Sequence, residues 1–109
     1  MRVLVSIEPR SYREAFTVTL RHLRPRLRVR AAAPEYLEEV VRRFRPHLVV
    51  CNEATSPVRA NAVSWIEIVI HDGMDATVVV GERERVVEGA TLADLLAAID
   101  ETKELISGD

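Results

Sequence analysis

Short continuous apolar runs alternate with longer stretches of helical period along this chain. Leu48-Val49-Val50-Cys51 is apolar without a break and stops abruptly at Asn52 and Glu53. A continuous rather than alternating apolar run marks a parallel strand covered by helices on both faces. The residues that follow it lie at the carboxyl edge of the sheet, where open α/β folds place their ligands. Arg2-Val3-Leu4-Val5-Ser6-Ile7 reads as a first buried strand, broken by Glu8-Pro9-Arg10-Ser11. Tyr12, Ala15, Phe16, Thr19, Leu20 and Leu23 then share one helical face, with Ser11 and Glu14 in a capping-box pattern and Pro25 as the stop. Arg26 to Ala31 alternates strictly, as an edge strand with one wet face does. After Pro34, the residues Leu37, Val40, Val41 and Phe44 form a single apolar stripe, and Glu38/Arg42 and Glu39/Arg43 pair on the opposite side.

The second half changes character. Thr55 to Ala62 is loop-like, with room for a short helix at most. Val63 to Ile70 is a strong strand, His71 to Asp75 a turn containing Asp-Gly, Ala76 to Val80 a strand, Gly81 to Glu84 a turn and Arg85 to Val87 a strand. Thr91, with Asp94 three residues on, caps a last helix carrying Leu92, Leu95, Leu96, Ile99 and Ile106. The pattern predicts an α/β fold in one domain, 1–109. Its first half is a three-layer parallel sheet with helices on both faces, and an antiparallel β-meander and a C-terminal helix follow.

Composition narrows the picture. The chain has 109 residues, 48% hydrophobic and 29% charged, which suits one globular core rather than two or a disordered segment. No apolar run approaches the roughly 18 residues of a membrane span, and no leader pattern opens the chain, so a soluble cytoplasmic protein is expected. The single Cys51 excludes an internal disulfide and a multi-cysteine metal site. Charge is unevenly placed: residues 1–50 hold eleven Arg against five Glu, and residues 51–109 hold four basic against twelve acidic side chains. The simplest reading is a solvated surface whose opposite charges meet across the fold.

Candidate chemistry is sparse. Cys51 and His47 are four residues apart on one strand, about 13 Å along the backbone, too far for a nucleophile and its base. His71, Asp72 and Glu67 lack a metal-ligand spacing, and no Gly-rich phosphate loop is present. The Arg-rich stretch 21–30 has no aromatic interleaving and no nucleic-acid-binding signature, so nucleic acid is not an expected partner.

Three segments resemble the receiver domain of two-component response regulators, the CheY-like version of the flavodoxin-like fold. They are Val3-Leu4-Val5 followed by Tyr12-Arg13-Glu14-Ala15-Phe16, Phe44 to Asn52, and Val86-Val87-Glu88-Gly89 with Leu92 to Leu96. The stretch from about 55 to 85 departs from that family, because the meander stands where its fourth helix belongs. The resemblance puts the family's acidic magnesium pair on Ser6 and Ile7 or on Ile7 and Glu8, its phosphoacceptor aspartate on Asn52 and its conserved lysine on Glu88. An amide is no phosphoacceptor, one carboxylate is a poor magnesium site, and Glu88 reverses the lysine's charge. The resemblance therefore implies a degenerate, non-catalytic pseudo-receiver without metal or cofactor, acting by protein contact. Glu8, Asn52, Glu53 and Glu88 would line the degenerate pocket. Trp65, Ile68, Val78, Val80 and Val87 are the interface candidates for a homodimer formed through the meander and the last helix. A small-molecule sensor using the same carboxyl edge is the alternative.

Overall fold

The central apolar run forms the strand it predicts. The computed structural model describes residues 1–108 and sets out β1 (Arg2–Ser6), α1 (Arg10–Leu23), β2 (Arg28–Ala31), a 3-10 turn (Pro34–Tyr36), α2 (Leu37–Phe44) and β3 (Leu48–Cys51). There follow α3 (Ser56–Asn61), β4 (Ser64–Ile70), β5 (Met74–Val80), β6 (Arg83–Val87) and α4 (Leu92–Ser107). One mixed six-stranded sheet has the order β2-β1-β3-β4-β5-β6. The first four strands in that order run parallel, and β5 and β6 fold back antiparallel. No helix among the described residues is long and apolar enough to cross a membrane.

Strict alternation sorts the strand residues into two clusters. Val3, Val5, Leu48, Val50, Ile66, Ile68 and Val78 face Leu20 of α1 and Leu95, Ala98 and Ile99 of α4. Leu4, Val49 and Cys51 face Leu37, Val41 and Phe44 of α2 and Val58 of α3. Every side chain of β3 is buried, so it packs on both sides at once.

Local chemistry explains the element ends, with some departures from the sequence pattern. Thr91 and Asp94 form the expected capping box, with the Thr91 N–H donating to Asp94 Oδ2 at 2.8 Å. Ser11 does not cap α1. The cap position is Pro9, two residues earlier, and Glu14 accepts from Arg10 Nε at 2.7 Å instead of turning back to the backbone. The second hairpin is tighter than expected, because Arg83 and Glu84 join β6 and leave only Gly81-Glu82 as the turn. Gly81 has φ of 61° and Glu82 does not share the positive sign, as in a type II′ turn. Arg45, left-handed at φ 52°, ends α2 before Pro46.

The helix layer of α2 and α3 reaches only the start of β4 in the meander. On that side Trp65 of β4 packs against α3's cluster, but Val69 and Val86 are 60% and 68% exposed. The interface candidates need correction on this point. Ile68 and Val78 are each 1% exposed and Val80 is also buried, because their parity turns them toward α4, and Val87 packs against the same cluster. Of the five, only Trp65 belongs to the open side. The outward residues of the meander are instead Glu67, Val69, Asp75, Thr77, Glu84 and Val86.

One polar contact is locked under α4. Thr102 Oγ1 lies 2.8 Å from the Ala98 carbonyl and 2.7 Å from Ser64 Oγ, both side chains being fully buried. One hydroxyl donates to the carbonyl and the other to its partner's oxygen. Thr102→Val should cost about 1–3 kcal/mol in urea unfolding, because Ser64 is left without its partner. Adding Ser64→Ala should recover most of that loss, and a double variant no more stable than the single would show that the pair contributes nothing.

Candidate functional site

β1, β3 and β4 finish at one edge of the sheet, and the first polar residue beyond β3 ties the three ends together. Asn52 Oδ1 accepts the Glu8 N–H at 2.8 Å, while Nδ2 donates to the carbonyl oxygens of Ile68 at 3.2 Å and Glu8 at 3.4 Å. An aspartate could accept the first bond but could not donate the other two. The structure thus brings Glu8 and Asn52 of the expected pocket into contact. The Glu8 carboxylate is paired with Arg13 Nη1 at 3.1 Å, and Glu53 is exposed on the loop beyond Asn52. Glu88 lies apart: it follows β6, which β4 and β5 separate from β3.

A second clamp stands beside the first. Glu67 Oε2 accepts the Ala54 N–H at 2.8 Å and lies 3.7 Å from Arg59 Nη2. Arg59 Nε in turn donates to the Ala54 carbonyl at 3.1 Å, with its guanidinium 5.6 Å from the centre of the Trp65 ring. Around these clamps the surface is concave. A hollow of about 560 Å³ is bounded by Glu8, Pro9, Asn52, Ile68, Val69 and Ile70. A smaller one of about 200 Å³ lies across Asn52 on the open sheet face, between Glu67, Val69, Asp75, Thr77 and Val86. Glu88 borders neither.

The third polar knot joins both hairpins. Asp75 Oδ1 accepts the Gly89 N–H at 2.9 Å and Oδ2 lies 2.8 Å from His71 Nε2. His71 Nδ1 accepts the Gly73 N–H at 3.2 Å, so the ring proton sits on Nε2 and is donated to Asp75. The Gly89 bond, and after it the His71 bond, hold the Asp75 carboxyl below its usual range. His71, Asp72 and Glu67 do not assemble, and among the described residues no three His, Cys, Asp or Glu side chains are grouped to hold a metal ion. The sequence pattern missed Asp75, and its signal was only that a turn-flanking acid faces the Gly89 that precedes a helix cap.

The remaining candidates are spoken for. Burial, and after it the charge of Glu67, pushes the Cys51 thiol up to about 12, so it stays protonated. His47 sits at the opposite end of β3, where its Nδ1 accepts the Arg2 N–H at 2.9 Å. The Arg-rich stretch is exposed, and several of its side chains are tied to neighbours: Arg21 donates to the Val29 carbonyl at 2.7 Å, Arg24 grips Asp100 through two nitrogens, and Arg28 and Arg30 lie over the Phe44 ring.

No family model, curated protein or solved structure matches this chain. Its chemistry therefore has to be read from the geometry. The carboxyl edge holds an amide bonded to backbone, the paired carboxylates of Glu8 and Glu67 beside the exposed Glu53, and a protonated thiol.

Two tests follow. Asn52→Asp should destabilise the fold by about 1–2 kcal/mol at pH 7, because two carbonyls lose their donor and face a charge. Equal urea midpoints would show that the amide donors are idle. His47 is held below its ordinary pKa, first by burial and then by Arg2 and the N-terminal charge. The native state then binds fewer protons than the unfolded chain, and stability falls as pH drops from about 6.5 through the folded value. His47→Asn should flatten that limb of a pH–stability curve. The further decline below about pH 3.9, where Asp75 and Asp100 lose the charge that their partners favour, should remain.

Proposed function

We propose that this chain is a non-catalytic, pseudo-receiver-type module that acts by protein–protein contact and is not phosphorylated. The observation that carries this reading is the uncovered side of the meander, where Val69 and Val86 stand in water beyond the half-buried Trp65, at which the cover of α2 and α3 ends. Two exposed valines among polar neighbours give this sheet face an apolar contact point that the other outward residues of the meander lack. The state of the carboxyl edge supports the same reading. Asn52 occupies the end of β3 as a structural clamp, and Glu8 is paired with Arg13. The parallel order of β2, β1, β3 and β4, with helices on both sides, fits the receiver resemblance. A small-molecule sensor is the second reading, favoured by the hollow of about 560 Å³ beside Glu8 and Asn52.

A photo-crosslinking residue placed at Val86 should give discrete protein adducts in host cells. The same residue at Val18, equally exposed on α1 at 65%, should not. Equal labelling from both positions would overturn the assignment of the face. Magnesium with beryllofluoride should leave the melting temperature unchanged. A ligand at 100 times its dissociation constant would add about 2.7 kcal/mol, a shift easily read for a domain this size.

A further inference from the structure

Resting on the contact reading above, we propose that the open face of β4–β5–β6 is covered by one amphipathic helix of a partner protein, with an apolar stripe flanked by Arg or Lys. The occupant is a helix because the face continues the layer that α2 and α3 begin, and helices are what that layer contains. Its size fits. A seven-residue strand spans about 23 Å, the length of roughly 15 helical residues.

Charge selects the flanks. Alternation turns Glu67, Asp75 and Glu84 to the open face, while the basic residues of β6 turn away and Arg85 Nη1 pairs with Glu101 of α4 at 2.9 Å. Arg59, at the border with α3, is already engaged by Glu67, Ala54 and the Trp65 ring. Glu67 is already held by Arg59 and the Ala54 N–H and Asp75 by the Gly89 N–H and His71, so among the described residues Glu84 is the carboxylate of this face with no partner, and covering it calls for a cation from the partner. The same feature disfavours a second copy of this chain. An isologous dimer on this face would set one acid-bearing face against another.

The test is a display library of helical peptides of about 15 residues, panned against the full chain. Parallel pannings use the Val69→Ser/Val86→Ser and Glu84→Arg variants. All three positions are exposed, and matching urea midpoints will confirm intact folds. The expected winners carry apolar residues at i, i+3/i+4 and i+7 with Arg or Lys beside them, and they quench or shift the fluorescence of Trp65, the chain's single tryptophan. They should lose about tenfold in affinity to either variant and weaken with added salt. Winners that are acidic, or show no helical period, yet still depend on Val69 and Val86 overturn the basic helix but leave the contact face standing. So does a chain that sediments as a dimer and becomes monomeric in the double variant, with a second copy as the occupant. Winners indifferent to both variants, or no winners from a monomeric chain, overturn the proposal together with the contact reading.

Discussion

The burial of β3 on both faces is the constraint from which the rest of the structure follows. Four residues, Leu48 to Cys51, have neither a wet side nor an edge, so helices must cover them above and below and strands must flank them left and right. β1 and β4 supply the flanks, α1 and α4 one cover, and α2 and α3 the other. A strand this short cannot also specify where its neighbours end. Beyond the last ladder pair Asn52 takes over, its amide bonding Ile68 within β4 and Glu8 just past the end of β1. Packing sets the layers and one amide sets the register at their edge.

Distance along the sheet separates the charges. The two edge strands, Arg-bearing β2 and the β6 of the second half, lie about 24 Å apart across five strand spacings. Arg24–Asp100 is the one ion pair among the described residues that joins the two halves of the sequence; the others lie within one half. The expectation that opposite charges cancel across the fold is therefore met at a single point, and the molecule keeps a polarity that a charged partner can read.

The sequence made legible what depends on short-range period. The continuous run at β3, the helical stripe of α2 with its acid-to-base pairs and the capping box at Thr91 all appear where the pattern puts them. Parity in the meander was harder. Val69 and Ile68 look alike in sequence, and which of them faces water depends on which side α4 docks, a long-range fact that no local period carries. Helix starts failed for a related reason. Ser11 and Glu14 have the spacing of a capping box, but Pro9 already opens the helix and Arg10 takes the carboxylate, so a local motif lost to a competing local pair. The partnership of Glu8 and Asn52 was visible as proximity at the strand ends but not as chemistry, since nothing in the residue types says that the amide is spent on backbone.

That spent amide bears most directly on function. A residue that accepts a phosphoryl group must present a free carboxylate oxygen to the ligand side and remain a nucleophile. Asn52 presents an oxygen already bonded to the Glu8 N–H and a nitrogen turned to two carbonyls. Restoring the carboxylate would return one acceptor and remove both donors, so the same substitution that recreates the chemical group weakens the scaffold that would have to position it. With the edge of the sheet committed to holding itself together, the free capacity of the molecule lies one strand further on. There the helix layer ends, and valine side chains meet water between carboxylates.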